Sequence, residues 1–157
     1  MSRLFLMRHA QAGAGVPDSA RSLTELGRAQ ARAMGCLLAG LRSSGPALRC
    51  SPALRCRETA SLLGAGEPIP DERLGLDRPL RDLLELARAA GSDALLVGHQ
   101  PELQGLLAAL LPGGTGQPFL LPPASLVGLR LGGGAALLSL YLEPGEATAL
   151  EASASKK

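Results

Sequence analysis

The sequence predicts a three-layer α/β/α fold with a mostly parallel central sheet and an antiparallel edge strand. Three observations carry this. Apolar runs at 3–8, 47–50 and 94–97 each stop abruptly at polar residues, as buried parallel strands do. Stretches of helical periodicity separate these runs, which is the alternation of an α/β sheet. Two further strand-like runs, 125–131 and 135–142, flank Gly132-Gly133-Gly134 and read as a hairpin.

The elements follow in order. The first strand, 3–8, enters a loop over 10–23 rich in turn-formers (Gly13, Gly15, Pro17, Asp18). Thr24 is placed to cap a helix, with Glu25 in its first turn. Leu26, Ala29, Ala33, Leu37 and Leu41 recur at helical spacing to about Arg42, and Ser43-Ser44-Gly45-Pro46 stops that helix. After the strand 47–50, Ser51-Pro52 reads as a cap and first helical residue, opening a helix to about Leu63. Residues 67–78 are irregular, with a short strand near Pro68-Ile69-Pro70. Pro79 starts a helix carrying Leu80, Leu83, Leu84 and Ala87, and ending near Gly91. The strand 94–97 exits at Gly98-His99, and Pro101 opens a last helix to about Leu111. A Pro/Gly loop over 112–123 precedes the hairpin. One domain is expected over 1–143, with 144–157 a small, polar, fraying tail.

Composition narrows the function. The chain of 157 residues is 46% hydrophobic, which suits a folded domain with a real core. Its aromatics are Phe5, Phe119 and Tyr141, so the core must be aliphatic. A net charge of +2 and the lack of stacking side chains argue against a nucleic-acid surface. Arginine supplies nearly all the basic charge. Because a genome-wide bias explains that, only particular arginines count as evidence. Three cysteines without metal spacing (Cys36, Cys50, Cys56) give neither a disulfide framework nor a metal site. Cys36 on a helix and Cys50 in a strand read as core residues. The N-terminal apolar run is too short for a signal peptide, and no apolar stretch could span a bilayer. The expectation is a cytoplasmic monomer with no membrane or nucleic-acid partner and no cofactor.

Three strand exits carry one kind of chemistry. The first gives Arg8 and His9, the second leads to Ser51-Pro52 and Arg55, and the third gives His99. Ligand sites in open α/β sheets form at the carboxyl ends of strands. If these strands are parallel neighbours, two imidazoles and two guanidiniums converge, joined by helix N-termini. That is an anion site, and a phosphoryl group is its natural occupant. Either histidine alone would be an ordinary polar residue after a strand. Both of the chain's histidines at equivalent exits, with arginines beside them, point to function.

These residues resemble the motifs of the histidine phosphatase superfamily, also called the phosphoglycerate mutase-like fold. Met7-Arg8-His9-Ala10 is similar to its Arg-His-Gly signature, and Arg21 to Gly27 to its Leu-Thr-x-x-Gly helix start. The stretch Ser51 to Ala60 resembles Ser-Pro-x-x-Arg-Ala-x-Gln-Thr-Ala, and Val97 to Pro101 its Gly-His-x-Pro segment. The compact build between residues 64 and 94 looks most like the SixA-type phosphohistidine phosphatases. The resemblance implies that His9 is a transiently phosphorylated nucleophile. It also implies that Arg8, Arg55 and His99 hold the phosphoryl oxygens without a metal. Neighbouring arginines are expected to lower the His9 pKa and keep the ring neutral.

The departures are specific. Ala10 replaces the common Gly, and Cys56 and Glu58 replace Ala and Gln. Glu58 is expected to face away from the pocket and Arg57 to lie on the surface. No acid motif is visible. Glu67, Asp71, Glu72 and Asp77 lie in the stretch where members acting on phosphate esters carry a general acid, yet each reads as a solvated loop charge. An alkoxide needs such an acid, whereas imidazole leaves readily. The expected substrate is therefore a phosphorylated protein bearing phosphohistidine. A small phosphorylated metabolite is the alternative, and a non-catalytic phosphate-binding module a third reading. A mutase would need longer inserts.

Overall fold

The computed structural model describes residues 2–41, 47–113 and 120–145. Its six-stranded sheet has the order β3-β2-β4-β1-β5-β6. The strands are β1 (Ser2–Arg8), β2 (Leu48–Cys50), β3 (Ile69–Pro70), β4 (Ala94–Gly98), β5 (Leu126–Gly132) and β6 (Ala135–Leu142). β1, β4, β2 and β3 pair in parallel. Antiparallel pairing enters at β5, one strand inside the edge, and the β5–β6 hairpin completes that side.

Period-two alternation along the strands builds two cores. Phe5 and Met7 face one side with Leu95, Val97, Leu48 and Cys50, under α1 (Glu25–Leu41) and α2 (Leu54–Leu62). Leu4 and Leu6 face the other with Leu96 and Val127, under α3 (Leu80–Ala89) and α4 (Glu102–Leu110). The result is the three-layer α/β/α arrangement that the alternation of elements requires.

Several local expectations are corrected. The buried face of α1 is Gly27, Ala31, Ala33, Met34, Gly35 and Leu38, while Leu26 is 55% exposed and Ala29 is exposed. Glycine, invisible to hydrophobic periodicity, sets that face. A Cβ on Gly27 would collide with the carbonyl oxygen of Gln11, and one on Gly35 with that of Leu63. The helix therefore packs backbone against backbone. Leu80 is likewise 41% exposed, and Leu83, Leu86 and Ala87 carry the buried face of α3. Cys36 is exposed; Cys50 and Cys56 are buried. Ser51 does not cap α2, which begins three residues later, after Ala53. The predicted stop at 43–46 and the tail beyond 145 lie outside the described residues, as does the middle of the 112–123 loop.

Candidate active site

Backbone bonds continue past the strand ends and fix the exits relative to one another. β1 and β4 pair as far as Arg8 and Gly98, and the His9 amide then donates to Gly98 O at 3.0 Å. The Ser51 amide donates to Val97 O at 3.0 Å, and the Ala124 amide to His9 O at 3.0 Å. With β4 between β1 and β2, the three exits meet at one edge of the sheet, as strand order alone allows.

His9 is 8% exposed, and its Nδ1 lies 2.8 Å from the carbonyl oxygen of Ala10. A carbonyl only accepts, so Nδ1 carries the proton and Nε2 keeps its lone pair. The Ala10 amide donates to Thr59 Oγ1 at 3.0 Å, and that hydroxyl donates to Arg55 O at 2.7 Å. Thr59 thus ties the turn after His9 to the helix that carries Arg55.

Arg55 is 3% exposed and threads between the two imidazoles. Its Nε donates to His9 Nε2 at 3.3 Å, and its Nη2 lies 3.3 Å from His99 Nδ1. A guanidinium only donates, so Nδ1 of His99 accepts; in the neutral ring, Nε2 then carries the proton toward Ser51 Oγ, 2.7 Å away. The ring centroids of His9 and His99 are 5.4 Å apart, inclined at 63°. Ser51 therefore orients the second histidine, and the thiol of Cys56 packs against the same ring, with Sγ 3.6 Å from Nε2.

Arg8 stands apart from this trio. Its Nη1 donates to Leu121 O at 2.7 Å, while its Nε is buried without a partner. Its charge is nonetheless felt by both histidines. Burial, then the charge of Arg55, lowers the Arg8 pKa, so an anion here would relieve strain between two cations.

Burial is the first cause of the neutral imidazoles, and the neighbouring arginines lower the His9 pKa further, as expected. It lowers the His9 pKa to about 4, with Arg55, Arg8 and Arg21 adding to the effect against the Ala10 carbonyl. Burial and then Arg55 lower His99 to about 3. At neutral pH His9 is an uncharged ring whose unprotonated Nε2 meets only the long 3.3 Å contact from Arg55.

Glu58 faces away from His9, as expected. Its carboxylate accepts from the Leu23 amide at 2.7 Å and from Ser22 Oγ at 3.0 Å, pinning the segment that leads into α1. Thr24 caps that helix through Gly27 N at 3.0 Å. Arg57 is exposed. Of the four loop carboxylates, Asp71 is held by Arg73 and Arg49, and Arg73 first of all lowers its pKa. Glu67, Glu72 and Asp77 are exposed, and none of the four hydrogen-bonds to Arg8, His9, Arg55 or His99. No group of three or more potential metal-ligating side chains occurs among the described residues.

Two residues at the site carried no role in the sequence reading. Asp18, on the 3₁₀ turn Asp18–Ala20, pairs its Oδ2 with Arg55 Nη2 at 2.9 Å. Arg21 pairs with the other oxygen of that carboxylate at 3.1 Å. Each lies in a turn-rich loop, where side-chain direction has no period to read.

Comparison with known proteins places this geometry. The family model described as histidine phosphatase superfamily (branch 1) matches residues 4–75, which hold Arg8, His9 and Arg55. A protein named as phosphohistidine phosphatase SixA from Nakamurella multipartitia matches with a TM-score of 0.80 and 26% identity, over 91% of this chain and 96% of its own. The chain belongs to the histidine phosphatase superfamily. Within that superfamily it is similar to proteins named SixA. The structure of the protein histidine phosphatase SixA complexed with tungstate shares the fold, with a TM-score of 0.79 at 24% identity, covering 92% of this chain and 98% of that one. An uncharacterized protein of Picosynechococcus sp. is 35% identical over 141 residues, 82% of this chain and 85% of the relative. A phosphoserine phosphatase from Entamoeba histolytica shares the fold with a TM-score of 0.70 at 16% identity, over 92% of this chain and 98% of that one. Superfamily membership thus supports phosphatase activity for this chain.

Proposed function

We propose that this phosphatase removes the phosphoryl group from phosphohistidine on a protein, by way of a phosphorylated His9. The observation that carries this reading is the state of His9, whose Nδ1 proton is committed to Ala10 O, leaving Nε2 as the nucleophilic atom. In the first step Nε2 bonds to phosphorus and the substrate's P–N bond breaks. In the second, a water oxygen bonds to phosphorus and the bond to His9 breaks. Splitting hydrolysis this way eases each transfer.

Arg55 and Arg8 neutralise the phosphoryl charge, which is most of what phosphoryl transfer asks of a protein. The 3.3 Å contacts of Arg55 to ring nitrogens are long, so phosphoryl oxygens are better acceptors for those donors. Ser51 can donate or accept. It therefore lets His99 present Nδ1 either as an acceptor to Arg55 or as a donor to a phosphoryl oxygen.

The loop carboxylates favour phosphohistidine over an ester, since none of the four touches the site residues and Asp71 is already paired. An alkoxide leaving group would lack a proton donor among them. A small-molecule ester remains the second reading, because the phosphoserine phosphatase shares the fold.

The test is hydrolysis of a phosphohistidine peptide and an aryl phosphate by the wild-type protein and His9→Ala. Preference for the peptide, with loss of turnover and of the acid-labile phosphoenzyme in His9→Ala, is expected. Faster cleavage of the ester would move the second reading to first place. Equal inertness of both proteins would leave a binding module.

A further inference from the structure

We propose that Asp18 is a specificity-determining residue of this site, whose carboxylate accepts the ring N–H of a phosphohistidine substrate and repels anionic leaving groups. This rests on the phosphohistidine reading above and assigns it to a residue in the loop between β1 and α1.

The geometry is a carboxylate reaching inward from solvent. The Asp18 side chain is 52% exposed, yet its Oδ2 lies 2.9 Å from Nη2 of Arg55, whose side chain is 3% exposed. The backbone oxygen of Asp18 takes the Nη1 proton of Arg55 at 2.8 Å. Arg21 holds the second carboxylate oxygen at 3.1 Å and anchors itself through Nε to Gly13 O at 2.7 Å. The inner side of Arg55 faces His9 and His99. Asp18 therefore stands on the solvent side of the guanidinium that meets the nucleophile. In the proposed arrangement the leaving ring departs on this solvent side, past the carboxylate.

Its charge decides what it can do. Hydrogen bonds from Arg21 and then Arg55 hold the Asp18 pKa below the usual carboxylate range. Asp18 is ionised at neutral pH and cannot act as a general acid. It can accept a hydrogen bond. Phosphohistidine protonated on its unphosphorylated ring nitrogen is a cation that offers one. As the His9 Nε2–P bond forms and the P–N bond breaks, the bonding pair passes to the leaving nitrogen. The ring then departs neutral, keeping the proton that Asp18 holds, and no proton transfer is needed. An ester puts the same pair on oxygen, creating an anion beside a fixed anion. Hydrogen bonds to charged groups are strong enough for an effect on the order of tenfold.

The experiment compares kcat/KM for a phosphohistidine peptide and for p-nitrophenyl phosphate in wild type, Asp18→Asn and Asp18→Glu. Asp18→Asn is expected to lose about tenfold on the peptide and to gain severalfold on the aryl ester, since hydrogen bonding to the ion is lost with its charge. Asp18→Glu keeps the charge and is expected to stay near the wild-type substrate ratio. The turn is exposed, so both variants should fold, as thermal melting will check. An equal fall on both substrates would reduce Asp18 to a support for Arg55 and overturn the proposal, as would no change on either. Wild-type protein that cleaves the ester but leaves the peptide intact would instead overturn the phosphohistidine reading, and this one with it.

Discussion

Nε of Arg55 lies 3.3 Å from Nε2 of His9, so the residue that neutralises the incoming charge already touches the atom that attacks it. Arg55 is buried, and its remaining donors are directed at His99 and Asp18. A guanidinium with this many partners needs a planar fork, which an ammonium lacks. Arg55→Lys should therefore behave almost as Arg55→Ala, with kcat down roughly 100-fold or more, on the scale of a lost oxyanion-stabilising donor. Steady-state kinetics on either substrate class would check this; near-complete rescue by lysine would contradict it.

Both histidines should stay neutral far below the ordinary value of 6.5. The chain has two, so histidine NMR resolves each ring. The expected midpoints are about 4 for His9 and about 3 for His99. The sign for stability follows. These folded-state values lie below the unfolded value, so the unfolded chain takes up protons first. The stabilising contribution is complete above about 6.5 and drains away as pH falls through the folded values near 4 and 3. Urea midpoints that did not fall between pH 6.5 and 4 would contradict this.

Glu58 closes the segment before α1 by accepting from Leu23 N and Ser22 Oγ, with Arg28 3.5 Å away. Glu58→Ala removes these acceptors and should cost about 1–3 kcal/mol. Glu58→Gln, which restores the family's usual residue, should recover most of it. Chemical denaturation of the pair would decide.

Gly27→Ala tests why the Leu-Thr-x-x-Gly pattern ends in glycine. A methyl group there meets the carbonyl of Gln11, two residues beyond His9. We expect a loss of about 1–3 kcal/mol from overpacking, together with lower kcat as the nucleophile's turn shifts. Gly40→Ala, within the same helix and with open space around its Cβ position, is the control and should keep or raise the melting temperature.

Ser51→Ala should separate orientation from chemistry. It removes the 2.7 Å partner of His99 Nε2 and leaves that buried nitrogen only the weaker contact of Cys56 Sγ at 3.6 Å. A fall in kcat with a smaller change in KM is expected, since the ring loses the hydroxyl that orients it; an unchanged kcat would show that Cys56 and Arg55 suffice to hold it.

Much of the fold was legible because hydrophobic alternation and abrupt polar exits are properties of consecutive residues. Leu4 to Met7 announced a buried strand, and Arg8 and His9 its exit. The pairing of β4 between β1 and β2 then placed that exit beside His99 and Ser51. Other features were not legible. Leu26 looked like core and is exposed, because Gly27 and Gly35 set the helix face by backbone contact. Ser51 looked like a helix cap and instead bonds His99, since local sequence cannot say which distant acceptor competes for a hydroxyl.

The sequence by itself determined the inventory at each strand exit and a mostly parallel sheet, while the order that sets β4 between β1 and β2 came from the tertiary structure. Short-range pattern is enough for the inventory, because a buried strand can release its chain only at its end. The tertiary structure alone decided which side chains touch: Arg55 between two imidazoles, Asp18 on the outer side of Arg55, Arg8 set apart against Leu121 O. It also decided that burial, more than charge, keeps His9 neutral. Contacts between residues 37 or 46 positions apart, such as Asp18 with Arg55 and His9 with Arg55, leave no period in the chain. Solvent exclusion, too, belongs to the packed layers rather than to any one segment.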